Sequence, residues 1–280
     1  MQVIAQMRRS VPERAGAVRA QRIVAGTRNF EQPVGRECAS IAPEPGGEAD
    51  VGSEEKRVEP IRIMHFSDAL CVWAYVSQVR IDELLKTFAS SVQVEYRYLH
   101  VFGDVYRKIE ASWKDRGGLR GYDEHVTGVC ARFEHVALAP HAWVRAAPRS
   151  SMPSHLLLCA VRLLESDGRL ADGTLPRAAW AVREAFFKQA SDISQRATLL
   201  QVAETMGLPM AELERILDSG AAHAELCGDQ DLARAHGIQG SPTLLFNEGR
   251  QRLSGNVGYR IIEANIRELL EGAPGQASWC

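Results

Sequence analysis

Two stretches of strict apolar–polar alternation flank a long block of helical periodicity. Ile61-Arg62-Ile63-Met64-His65-Phe66 alternates well enough to enter a sheet as a strand. Ser67-Asp68 then gives a turn and cap signal. From Cys71 to Phe88 the apolar residues Val72, Tyr75, Val76, Val79, Ile81, Leu84, Leu85 and Phe88 recur at helical spacing. Val92-Gln93-Val94-Glu95-Tyr96-Arg97-Tyr98 alternates again, with β-branched and aromatic residues on one face. The chain therefore opens strand–helix–strand, the start of a parallel α/β unit. From about Asp104 to His236 the pattern is almost wholly helical. One helix starts near Ser154, one follows Pro176, one is capped by Ser194 and ends at Gly207, and one has Pro209 in its first turn and stops by Gly220. Strand signals return at Thr243-Leu244-Leu245-Phe246-Asn247; Glu248-Gly249-Arg250 turns the chain and Gln251-Arg252-Leu253 pairs back. Asn256 caps a last helix carrying Ile261, Ile262, Ile266, Leu269 and Leu270. This order predicts an α/β fold: one sheet interrupted by an inserted all-helical subdomain, without internal repeats.

At 280 residues the chain can bury a sizeable core without crosslinks. A net charge of -2 gives no sign of a nucleic-acid or anionic-membrane partner. The six cysteines (Cys38, Cys71, Cys130, Cys159, Cys227 and Cys280) are scattered, and no CxxC pair exists for zinc or a dithiol cycle. No HExxH, P-loop or GxGxxG is present, and no metal site is expected. No stretch approaches the roughly 18 apolar residues that span a bilayer. The first thirty residues lack the apolar core of a secretory signal. The expectation is a soluble protein of a reducing cytoplasm. Arg8, Arg9, Arg14, Arg19, Arg22 and Arg28 against the single acid Glu13 resemble a transit peptide superficially; a floppy extension or an over-long gene start is the plainer reading. Residues 43–55 are rich in Pro, Gly and acids and read as linker, so folding should begin near Val58.

Cys71-Val72-Trp73-Ala74 stands at a helix N-terminus, where unpaired N–H groups and the helix dipole stabilise an anion. That placement is expected to lower a thiol's pKa. Cys71 can attack, but Ala74 has no sulfur with which to close an internal disulfide. Far along the chain, Gly237-Ile238-Gln239-Gly240-Ser241-Pro242-Thr243 feeds directly into a strand. X-Pro is the bond type that can be cis. Pro242 has no N–H and stands first in the strand, which leaves the Ser241 backbone to pair with a ligand. A peptide-like thiol could add there as an extra strand, its sulfur presented to Cys71.

Phe66-Ser67-Asp68-Ala69-Leu70-Cys71-Val72-Trp73-Ala74-Tyr75, together with Gly237 to Thr243, resembles the DsbA-like branch of the thioredoxin superfamily. That branch includes FrnE-type oxidoreductases, 2-hydroxychromene-2-carboxylate isomerases and kappa-class glutathione transferases. The resemblance covers about residues 60–272, and the helix start at Ser154-His155-Leu156 looks like the family's insertion. It implies a thioredoxin-like domain from 58–103 and 237–272, a helical insertion over 104–236, an extension or disordered linker over 1–57 and a tail over 273–280. It also implies that Cys71 is the nucleophile and Ser241-Pro242 the cis-proline pair. Family oxidoreductases carry CxxC. With Ala74 in the second position, a mixed disulfide on Cys71 must be resolved by an outside thiol, most simply glutathione as co-substrate, with no bound cofactor.

Each of these residues also has a plainer reading. Cys71 could be a buried structural cysteine, and Cys130, Cys159 or Cys227 could be small core hydrophobes or stand-in resolving thiols. Trp73 packs, or walls a substrate slot. Asp68 caps the turn, or raises the Cys71 pKa as a neighbouring anion. His65 is a pleat-facing strand residue, His100 closes the second strand near the sheet end, and His155 reads as structural. Gly255-Asn256 caps the last helix, or holds an anionic ligand group at its N-terminus. Three functions remain open: a monothiol oxidoreductase, a glutathione-dependent isomerase or transferase, and a non-catalytic peptide-binding module. The sequence does not fix the oligomeric state, and a homodimer is compatible with it.

Overall fold

The structure is a computed structural model, and it describes residues 59–271. The expectations for the arginine-rich start, the linker, Cys38, Cys280 and the tail lie outside the described residues. The alternating segments form strands β1 (Ile61–Ser67), β2 (Val92–Tyr98), β3 (Thr243–Phe246) and β4 (Gln251–Ser254). The periodic segments form α1 (Val72–Phe88), α2 (Val105–Trp113), α3 (Gly118–Cys130), α4 (Ala142–Ala146) and α5 (Met152–Ser166). They continue as α6 (Thr174–Phe187), α7 (Arg196–Thr205), α8 (Met210–Asp218), α9 (Ala221–Ala235) and α10 (Tyr259–Glu271).

The sheet order is β2-β1-β3-β4. Crossover through α1 makes β2 parallel to β1, whereas β3 runs antiparallel to β1 and the tight β3–β4 turn keeps β4 antiparallel to β3. Strand side chains alternate between faces. On one face Ile61, Ile63, His65 and Ser67 are all buried, with His65 opposite Tyr96 and Leu244 and Ser67 opposite Tyr98. On the other, Met64, Phe66, Leu99 and Leu245 pack with Ala233 of α9 and with Ile238. One continuous core joins strand residues to α1, α3, α5, α6 and α8. Its seam is aromatic: the Tyr75 ring stacks on Phe187 at 4.5 Å and on Trp180 at 5.1 Å, tying α1 to α6.

Several helix ends fall elsewhere than the sequence suggested. The amide and hydroxyl of Ser194 are both taken by Asp192, so Gln195 becomes the N-cap of α7. Pro209 is itself the N-cap of α8, one residue before its first turn. Asn256 does not cap α10, which starts at Tyr259; its side-chain oxygen accepts from Arg80 of α1 instead. No described helix is long and apolar enough to cross a membrane.

Candidate active site

The turn between β1 and α1 is held from several sides. Within it, the Cys71 amide donates to the Asp68 carbonyl at 3.1 Å, and the Leu70 amide donates to Asp68 Oδ1 at 2.9 Å. Asp68 Oδ2 accepts from the Phe102 amide and from Ser151 Oγ, both at 2.8 Å. The Ala69 amide donates to His155 Nε2 at 3.0 Å, which makes His155 a neutral acceptor with its proton on Nδ1. Burial depresses the His155 pKa first, in agreement with that role. Asp68 is therefore a turn residue whose completely buried carboxylate is satisfied by three donors.

Cys71 follows this turn as the N-cap of α1, with extended backbone angles of φ -78° and ψ 113°. Its Sγ donates to the Ser241 carbonyl at 3.2 Å. Ser241 Oγ in turn accepts from the Asp68 amide at 2.9 Å, and the Ser241–Pro242 peptide is cis. The two motifs therefore meet as expected, 170 residues apart in sequence. Gly255 joins them through its amide, which donates to the Pro242 carbonyl at 2.8 Å. Trp73 is half-buried, with the Arg132 guanidinium 5.5 Å from its ring. Asn256 is turned to Arg80.

The thiol is not the free, low-pKa sulfur that its helix position suggested. Cys71 is only 6% exposed, and burial pushes its pKa up. The Ser241 hydroxyl and the amides of Ala74 and Trp73 pull it down, while the Asp68 charge pushes it up again; the net direction is upward. The helix N-terminus does act as expected, but desolvation outweighs it.

The other candidates stand apart. His65 is 1% exposed with neither ring nitrogen paired among the described residues. His100 is exposed beside Gln230. The four described cysteines are free thiols. Burial pushes Cys130 up to about 11 and Cys159 up to about 12, so neither is an activated thiol, while Cys227 is exposed on α9.

Sequence reasoning missed Arg183. This α6 residue is 1% exposed, and its Nη2 donates to Ser67 Oγ at 2.9 Å and its Nη1 to Gln78 Oε1 at 3.3 Å. The signal was present: Ala179, Phe186 and Phe187, one turn either side, are all buried apolar residues, so a cation sits in the middle of an apolar stripe.

A profile of the DSBA-like thioredoxin domain family matches residues 62–267. The chain belongs to this family. Among solved structures, this DSBA-like chain is similar to a probable DsbA oxidoreductase from Streptomyces coelicolor, with a TM-score of 0.61 and 18% identity over 78% of this chain and 93% of that one. It is also similar to the cytosolic disulfide reductase DsbM from Pseudomonas aeruginosa, with a TM-score of 0.54 and 15% identity over 74% and 98%. A 2-hydroxychromene-2-carboxylate isomerase matches with a TM-score of 0.54 and 14% identity over 78% and 100%. These likenesses show the fold. A curated relative, the ClpXP adapter protein SpxH from Bacillus licheniformis, is 29% identical over 151 residues, 48% of this chain and 49% of its own. The chain thus spans about half the length of that relative. The structure places the Cys71 sulfur at the cis-proline edge, with Ala74 completely buried three residues on.

Proposed function

We propose that this protein is a monothiol thiol–disulfide oxidoreductase, with Cys71 as the attacking sulfur and glutathione as the resolving thiol. The observation that carries the reading is Cys71 Sγ lying 3.2 Å from the Ser241 carbonyl at the cis-proline edge, with Ala74 three residues on. The Cys71 thiolate attacks a substrate disulfide: an S–S bond forms to Cys71, the substrate S–S bond breaks, and the leaving thiolate takes up a proton. A glutathione thiolate then attacks the mixed disulfide, releasing Cys71 and leaving glutathione disulfide-linked to the departing group. Reaction also removes the proton that Cys71 gives to the Ser241 carbonyl, freeing that acceptor for a substrate amide laid along the edge. Gly255 is bonded to Pro242 at this edge; Gly255 and Trp73 would contact the substrate, and Asn256 would do so by exchanging its Arg80 bond. Glutathione as partner is supported by DsbM, which has been solved with glutathione. The cytosolic setting of that neighbour supports a cytoplasmic location.

The test is Cys71→Ser with glutathione and a glutathionylated substrate, whose glutathionyl sulfur passes to Cys71 on attack before free glutathione removes it as glutathione disulfide. The wild type should carry a glutathione adduct on the Cys71 peptide by mass spectrometry and turn the substrate over; the variant should do neither. Disulfide turnover that survives in Cys71→Ser ends this reading. Glutathione-dependent isomerase activity surviving the same change would favour the isomerase reading instead. A second reading, a peptide-binding module without turnover, is favoured by the 6% exposure of Cys71 and its raised pKa; the adapter name of the B. licheniformis relative points the same way for that protein. It predicts peptide affinity unchanged by Cys71→Ser.

A further inference from the structure

Arg183 is an unusual cation. It is 1% exposed, and among the described residues no carboxylate oxygen lies within 4.0 Å of it. Its two hydrogen-bond acceptors, Ser67 Oγ and Gln78 Oε1, are neutral, and its Nε has no partner. A buried charge is ordinarily retained only when paired. One of those acceptors, Ser67, ends β1 and leads directly into the turn that delivers Cys71. The guanidinium is thus fixed beneath the N-terminal half of α1, where it touches Ser67 at one end and Gln78, a turn and a half into the helix, at the other.

We propose that Arg183 is the positioning residue that supplies the counter-charge for the Cys71 thiolate, acting through Ser67 and the interior beneath α1 rather than by touching substrate. This rests on Cys71 being the reactive thiol. The charged and titratable groups around the pair come from every packed element. The β1–α1 turn offers Asp68, whose negative charge opposes the thiolate. Tyr122 of α3 and His155 of α5 are neutral in this setting: burial raises the first and lowers the second. From β1, His65 is held neutral by burial and by Arg183 itself. From β2, Tyr96 and Tyr98 are neutral phenols, both raised by burial. Arg162 also borders Tyr96 and Tyr98, but it is paired with Glu225 and Asp229, and Arg132 lies against the Trp73 ring. Among these cations Arg183 is the fully buried one, with no carboxylate oxygen within 4.0 Å among the described residues. Burial weakens the hold on its proton, and Tyr98, Cys71, Tyr96 and Asp68 strengthen it. In the thiol form Asp68 is the anion that acts on the cation without touching it, and in the thiolate form the cation gains a second. That difference favours ionisation at the moment of attack and partly offsets the burial that disfavours it.

The experiment follows the pH dependence of iodoacetamide alkylation at the Cys71 peptide by mass spectrometry, in Arg183→Met, Arg183→Lys and Gln78→Glu. Following the peptide separates Cys71 from the exposed Cys227. Arg183→Met should raise the Cys71 midpoint by about one unit and slow alkylation at pH 7 by about tenfold. Arg183→Lys, which keeps the charge, should stay nearer to the wild type. Gln78→Glu places a carboxylate on the guanidinium without removing it, and should shift the midpoint in the same direction as Arg183→Met. Where Arg183→Met does not fold, Gln78→Glu decides. Midpoints within about 0.3 unit of the wild type in the neutralising variants overturn the proposal, as does a lysine variant displaced as far as the methionine one. Alkylation needs no substrate, so failure here is distinct from failure of the oxidoreductase reading, which appears as turnover in Cys71→Ser.

Discussion

Acid should destabilise this protein through His65. The ring lies on β1 between Tyr96 and Leu244, 1% exposed, with no hydrogen-bond partner for either nitrogen among the described residues. Burial first, and the Arg183 charge second, hold its pKa down to about 3, against an ordinary value of 6.5. The unfolded chain can therefore bind a proton that the fold refuses. Because the unfolded state binds more protons below pH 6.5, stability rises with pH through this window and is lost as pH falls from 6.5 toward 3. Each pH unit within it is worth about 1.4 kcal/mol, so by pH 5 the group has removed about 2 kcal/mol relative to neutral conditions. His155, whose pKa burial also lowers, adds loss of the same sign. The measurement is urea unfolding followed by tryptophan fluorescence at pH 7, 6 and 5, comparing the wild type with His65→Leu. The leucine variant should lose about 2 kcal/mol less than the wild type between pH 7 and 5. Equal losses in the two proteins would refute the argument, since they would mean that His65 titrates freely in the fold or is ionised and paired.

Two further changes test the β1–α1 turn. Asp68→Asn should cost roughly 1–3 kcal/mol of stability in thermal unfolding, because one of the three donors that face its buried oxygens would meet an amide N–H instead. The same change removes the anion that raises the Cys71 pKa, so Cys71 should alkylate faster at neutral pH; slower alkylation in folded protein would contradict that electrostatic assignment. Ala74→Cys restores a second sulfur three residues from the helix N-cap, within bridging distance of Cys71. Ala74 is completely buried, so overpacking should cost roughly 1–3 kcal/mol. On mild oxidation an internal disulfide should form and release of a mixed disulfide should no longer need added glutathione; a variant that glutathionylates at Cys71 but never closes would refute this.

The sheet was legible because its strands alternate with period two and the helices with period 3.6. Both signals come from side chains only a few residues apart. The pairing of Cys71 with Ser241-Pro242 was legible for a different reason: each motif carries its own chemistry, and a proline opening a strand implies an open backbone beside it. Exact helix starts were less readable, since Asp192 competes for Ser194 and Arg80 for Asn256, and neither competition shows in periodicity. The direction of the Cys71 pKa was misjudged for a related reason. Dipole and amide effects can be read from a helix start, but desolvation depends on what closes over the sulfur. Arg183 approaches Ser67 across 116 residues of sequence, and only an apolar stripe with a cation in it hinted at the contact.

The helical insertion is part of the site's construction. Phe102 leads into it, and Ser151 and His155 belong to it; between them they hold the Asp68 side chain and the Ala69 amide, which set where Cys71 begins its helix. Arg183 reaches Ser67 from the same block. The β1–α1 turn supplies the sulfur and the segment before β3 the cis-proline edge, while the inserted helices hold that turn and supply the cation that would favour the thiolate. A change in how those helices sit on the turn would therefore alter the placement of Cys71 and, with Arg183, its ionisation together. Under the proposed reading, the packing of the insertion would then decide between disulfide exchange at Cys71 and peptide binding without turnover.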